Sequence, residues 1–114
     1  MRRLPEPARE SLTLASVLHA LGDPTRLQLA RRAAAEPDLS CSVAADGLGV
    51  PLSTLTNHLR IMREGGVISM TVDGRHRRIR LRDDDLRERF PELLDPILRL
   101  SADAPARPRE KPAS

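Results

Sequence analysis

A mainly α-helical domain built around a winged helix-turn-helix is the fold class that the sequence predicts, on three observations. Residues 42–64 read as two short helices joined by a glycine turn. Residues 68–82 alternate apolar and polar side chains on both sides of Asp73-Gly74, as a β-hairpin does. Helical apolar stripes lie before and after this unit, in a chain whose 114 residues suit one domain with one core.

Pro5 and Pro7 make residues 1–7 a flexible arm. A first helix is expected from Ala8 to Leu21, with Leu14, Val17, Leu18 and Leu21 on one face, and Gly22 ends it. Asp23 caps a second helix and Pro24 takes its first position, where a missing N–H costs nothing. That helix runs until Pro37, with Gln28, Arg31 and Arg32 on a solvated face. In the turn motif, Ala44, Ala45 and Leu48 supply a small apolar face, and Gly47 and Gly49 turn the chain. Ser53 is the expected N-cap of the following helix, whose buried stripe is Leu55, Leu59 and Met62.

Gly65 and Gly66 close that helix, and Ile68, Met70 and Val72 begin a half-buried strand. Asp73-Gly74 predicts a two-residue turn with positive φ at both positions. On the return strand Ile79 and Leu81 point in, while Arg78, Arg80 and Arg82 point out. Asp83, Asp84 and Asp85 suit a helix N-terminus. Pro91 and Pro96 then require a kink or two short helices within the apolar stretch from Leu86 to Leu100. The expected organisation is an arm over 1–7, a DNA-binding and dimerisation domain over 8–101, and a disordered tail over 102–114.

Charge is uneven although the formal net charge is only +3. Residues 52–82 carry seven arginines against two acids, whereas residues 83–103 carry seven acids against three arginines. A basic block beside an acidic one suggests a face that meets a polyanion. No apolar run approaches the roughly 20 residues of a membrane span, and the N-terminus has no signal-peptide core. The single cysteine fits a reducing cytoplasm. The core must be aliphatic, because Phe90 is the only aromatic residue.

The central helix leaves Ser53, Thr54, Thr56, Asn57, His58 and Arg60 off its apolar stripe. Small hydrogen-bonding residues at a helix N-terminus can approach base edges while a following cation reaches phosphate. Any amphipathic surface helix could also carry them. Arg75, His76, Arg77 and Arg78 crowd the hairpin, for backbone contact with double-stranded DNA or as charge that protects an edge strand. Leu14, Val17, Leu18, Leu93, Leu94, Ile97 and Leu98 give more aliphatic surface than the central unit covers. A homodimer interface through the terminal helices would use it, as would packing within the monomer.

With ALGDPTRLQLARR, LSTLTNHLRIMREGGVI and VDGRHRRIRL in view, the chain resembles the ArsR family of bacterial winged-helix repressors from about Leu14 to Leu81. The resemblance implies a homodimer assembled from the first and last helices, a palindromic operator, and repression relieved by a ligand. By matching position it points to Ser53, Thr54, Thr56, Asn57 and His58 for groove contacts, and to Arg75 and Arg77 for the wing. Family metal sensors carry two cysteines separated by one residue at the helix that opens the turn motif; those positions here are Ser40 and Ser42, with Cys41 between them. Hydroxyls do not replace thiolates for soft metals, so no metal and no cofactor is expected. Cys41 reads as a small core residue before a redox switch, and His19 and His76 receive no metal role.

The leading expectation is therefore a cytoplasmic, sequence-specific DNA-binding regulator, a homodimeric repressor relieved by an unidentified effector, for which a small molecule and a redox signal are both open. A winged helix used for protein association and a metal-responsive regulator are the alternatives. An enzyme is not expected, since no nucleophile–base pair can be placed in one pocket.

Overall fold

Within residues 1–102, which the computed structural model describes, six α-helices pack on a four-stranded antiparallel sheet of order β1-β3-β4-β2. The strands are β1 (Arg2–Arg3), β2 (Leu39–Ser40), β3 (Ile68–Asp73) and β4 (His76–Leu81). Helices α1 (Leu14–Leu21) and α2 (Pro24–Ala35) precede β2. The turn motif is α3 (Cys41–Ala44) and α4 (Leu52–Glu64), and α5 (Asp83–Arg89) and α6 (Leu94–Ala102) follow the sheet. Apart from Ala102, which ends α6, the expected tail lies outside the described residues.

The core forms where the apolar stripes converge. Leu55, Leu59 and Met62 are buried on α4, against Val17, Leu29, Ile68 and Ile79. Asp23 caps α2 as expected: Oδ2 accepts from the N–H groups of Thr25 at 2.9 Å and Arg26 at 3.2 Å. Pro91 separates α5 from α6, and Pro96 falls in the first turn of α6, where no N–H is required.

Several expectations need correction. The first helix does not start at Ala8: a 3₁₀ turn at Arg9–Ser11 and the buried Leu12 precede α1, which Thr13 caps by accepting from Ser16 N–H. The first helix of the turn motif is only four residues long, and Ser40 caps it. Ser53 is not an N-cap; Pro51 holds that position without a side-chain bond, and Ser53 already lies within α4. The hairpin turn is Gly74-Arg75, and of these two only Gly74 has positive φ, which fits the turn class with glycine first. Arg32 is not a free surface cation: it donates to Ala44 O at 2.7 Å and Asp46 O at 2.6 Å, closing the C-terminal end of α3.

Residues 1–7 are a docked segment instead of a loose arm. Arg2 pairs with Val72 and Arg3 with Thr71, and Leu4 N–H donates to Met70 O at 2.9 Å. Arg3 covers β3 and donates to Ser69 Oγ, which buries a serine expected to face water. Arg82, expected to point out, is 7% exposed. It follows the end of β4, donating to Pro7 O at 2.7 Å and pairing with Asp85 at 2.8 Å. A chain with little apolar content in its first residues is thus held by backbone pairing and by two arginines, Arg63 and Arg82, which donate to the carbonyls of Pro5 and Pro7.

Two glycines are required by space. A Cβ at Gly65 would lie 2.9 Å from Ala20 Cβ, so α1 crosses the end of α4 at close range. Gly66 has φ +86° and a Cβ there would run into the Leu12 side chain.

Candidate nucleic-acid interface

Helix α4 presents Ser53, Thr54, Thr56, Asn57 and Arg60 to solvent along its first two and a half turns. Its opposite side is fixed by the core, so the exposed face is rigidly aimed. Arg60 donates to Asn57 Oδ1 at 2.5 Å and pairs with Glu64 at 3.0 Å. Asn57 therefore retains a free amide N–H₂ while its oxygen is held by a cation one turn away.

His58 does not share this face. Its side chain is 14% exposed and its Nδ1 lies 3.1 Å from Arg26 Nη1 and 3.9 Å from Asp23 Oδ2. Arginine can only donate, so Nδ1 accepts. Arg26 also donates through Nε to Ala20 O at 2.8 Å and through Nη2 to His19 O at 3.1 Å, filling carbonyls at the end of α1. The Asp23–Arg26 segment thus joins α1, α2 and α4 in one polar knot. His58, expected at the groove with Ser53 and Asn57, is half-buried against Arg26 instead, because the helical period turns residue 58 toward α2.

In the wing, cross-strand partners share a face. Arg77 stands opposite Val72, and Val72 stands opposite Arg2. The period of two places this row on the face of Met70 and Ile79, the side on which α4 packs. Arg78 lies on the other face and donates to Asp38 O at 3.3 Å, while Arg80 pairs with Asp38 at 3.1 Å. Arg80, through its hydrogen bond, holds the Asp38 carboxyl below the usual carboxylate range. Arg75, His76 and Arg77 are exposed, and Arg75 and Arg77 have no ion-pair partner among the described residues. Sequence reasoning missed Arg2, which joins the wing only because β1 pairs with β3; its single signal was the basic start of the chain.

On α1 and α6 the exposed large apolar residues are Leu14 at 47%, Leu18 at 45% and Leu100 at 64%. Ile97, Leu98 and Leu93 are half-buried. Val17 and Leu94, expected at a dimer surface, are 0% and 2% exposed and belong to the monomer core. Cys41 is half-buried, and burial raises its thiol pKa, followed by a smaller opposing effect of Arg77. Among the described residues no three His, Cys, Asp or Glu side chains are grouped to hold a metal ion, and no helix is long and apolar enough to cross a membrane.

A family model described as a helix-turn-helix domain matches residues 21–71. The HTH-type transcriptional regulator CmtR of Mycobacterium bovis is 35% identical over 99 residues, covering 85% of this chain and 80% of that protein. An ArsR-like transcriptional regulator from Rhodococcus sp. RHA1 is 28% identical with TM-score 0.58, over 79% of this chain and 80% of its own. The chain belongs to the ArsR family. A second solved structure, a possible transcriptional regulator for arsenical resistance, is 28% identical with TM-score 0.58, over 82% of this chain and 99% of its own. This ArsR-family protein is a winged helix-turn-helix DNA-binding transcriptional regulator. Its second helix-turn-helix segment is α4 and its wing is the β3–β4 hairpin, which β1 widens.

Proposed function

We propose that this ArsR-family regulator is a homodimeric repressor whose α4 reads base edges while the wing arginines neutralise backbone phosphate. The observation that carries the reading is the placement of exposed Ser53, Thr54, Thr56 and Asn57 on one rigid helix together with a wing whose Arg75 and Arg77 have no ion-pair partner among the described residues. Short hydroxyl and amide side chains discriminate bases by direct hydrogen bonds, whereas the arginines supply salt-sensitive affinity. Arg60 serves the phosphate side once DNA replaces Glu64 as its partner.

Leu14 and Leu18 lie one turn apart on α1, and Leu100 extends the apolar surface at the other end of the fold. A second copy that covers these residues would set two α4 helices at a spacing of about 34 Å, one turn of DNA. An effector that prefers a dimer with another spacing would release the operator. The experiment is a titration of fluorescently labelled DNA from upstream of the protein's own gene, followed by transcription from that fragment in vitro. Binding with twofold stoichiometry and a fall in transcript supports the repressor; specific binding with a rise in transcript replaces it with an activator.

A further inference from the structure

A cavity of about 460 Å³ separates α4 from the wing and the N-terminal segment, and neither base reading nor dimer contact accounts for it. Its size lies in the range of small-molecule sites, about 300–1,000 Å³. The walls are mainly apolar, with Leu52, Leu55, Leu59 and Met70 prominent, and the half-buried Cys41 thiol among them. Leu4, Thr56, Arg60, Arg63 and Arg77 complete the lining, and no carboxylate belongs to it.

The lining is polarised along α4, with Leu52 and Leu55 in the first turn and Arg60 and Arg63 toward the end. The rise from residue 52 to residue 60 is about 12 Å at 1.5 Å per residue. Arg63 is incompletely satisfied: Nη1 donates to Pro5 O, while its buried Nε has no hydrogen-bond partner among the described residues. Guanidinium groups of Arg60 and Arg63 at the edge of an apolar space favour an anionic acceptor, and a charge-assisted pair is the strongest form of that bond.

We propose that this cavity binds a small amphipathic anion, an apolar body carrying one carboxylate, and that occupancy opposes DNA binding. The carboxylate lies with Arg63 and Arg60, and the body runs toward Leu55 and Leu52. Arg60 lines the cavity and also belongs to the DNA-facing set, so the ligand carboxylate and phosphate compete for that cation. Linkage then makes the effect reciprocal: DNA weakens ligand binding by the factor by which ligand weakens DNA binding. The regulatory half rests on the repressor reading above; the site itself does not.

The test uses the full chain and sodium octanoate, with octanol to isolate the apolar body and acetate to isolate the head group. In the DNA-free protein, ¹³C-methyl NMR follows Met70, which lines the cavity, against Met62, which does not. Octanoate should shift the Met70 methyl in a saturable way, with octanol and acetate at least about tenfold weaker. Arg63→Gln should weaken octanoate about tenfold and leave DNA affinity within about twofold. Saturating octanoate should weaken DNA binding by the wild type about tenfold or more.

Octanol binding as tightly as octanoate, or no Met70 shift with either, would overturn the anion site in the wild-type protein, whatever the variant does. Wild-type octanoate affinity in Arg63→Gln would overturn the assigned head-group position. A Met70 shift without loss of DNA affinity would overturn the competition. If the protein binds no DNA before octanoate is added, the repressor reading fails and the NMR arm still decides the site.

Discussion

Arg26 and His58 meet at 3.1 Å across the α2–α4 seam, and this pairing turns His58 away from the exposed Ser53, Thr56 and Asn57 of α4. Arg26 is 8% exposed, and its three donor contacts reach Ala20 O, His19 O and His58. Arg26→Ala would leave the buried Ala20 O without its donor, while His19 O keeps Gly22 N–H, and should lower unfolding free energy by about 1–3 kcal/mol, the cost of one unsatisfied group. Urea denaturation measures it. His58→Gln should cost less stability and leave base preference unchanged, in contrast to a substitution at Asn57.

Gly66→Ala is expected to destabilise through space and backbone together. The positive φ disfavours any side chain, and the added methyl meets Leu12 under the N-terminal segment. A loss of about 1–3 kcal/mol in urea unfolding is the expected result. In a Leu12→Ala background, itself destabilised by the lost core side chain, Gly66→Ala should cost less than in wild type, because the clash is gone and only the backbone cost remains.

Asp85 links the two ends of the chain by accepting from Arg9 at 2.7 Å and from Arg82 at 2.9 Å. Burial works against its charge, yet the hydrogen bonds from Arg9 and then Arg82 hold the carboxyl below the usual carboxylate range. A depressed folded pKa contributes stability that is present above the unfolded value of about 3.9 and is lost as pH falls through the folded value. Asp85→Asn should therefore be less stable than wild type at neutral pH, and the gap should close as pH falls below about 4. Paired urea curves across that window measure the gap.

The proposed dimer makes a separable prediction at α1. Leu18→Glu changes a side chain that is 45% exposed and should convert dimer to monomer in analytical ultracentrifugation while circular dichroism stays native. Leu94→Glu changes one that is 2% exposed and should unfold the chain, by placing an unpaired carboxylate in the core. Dimers that persist in Leu18→Glu and Leu14→Glu would move the interface elsewhere.

Much of this architecture was legible from local chemistry. The Asp23-Pro24 start of α2, the Leu55–Leu59–Met62 stripe and the Ile68–Asp73 strand follow from capping and periodicity. What escaped depends on contacts between residues distant in the chain. Nothing near Arg2 announces that it will pair with Val72, and nothing near Arg82 announces Pro7 as its acceptor. The packing of His58 against Arg26 is hidden for the same reason, since that partner lies 32 positions earlier. Val17 and Leu94 could not be told from Leu14 and Leu18 by hydrophobicity, because core and interface use the same side chains.

The central claim is that α4 reads bases while the wing arginines supply phosphate contact. Its most direct test is the salt dependence of binding to upstream DNA for wild type, Arg77→Ala and Asn57→Ala, each against a scrambled fragment. The account predicts that Arg77→Ala weakens both fragments alike and reduces the salt slope by about 1. Asn57→Ala should instead lose about 1–3 kcal/mol of discrimination at an unchanged slope. Equal affinity of the wild type for both fragments, or retained discrimination in Asn57→Ala with an unaltered slope in Arg77→Ala, would contradict it.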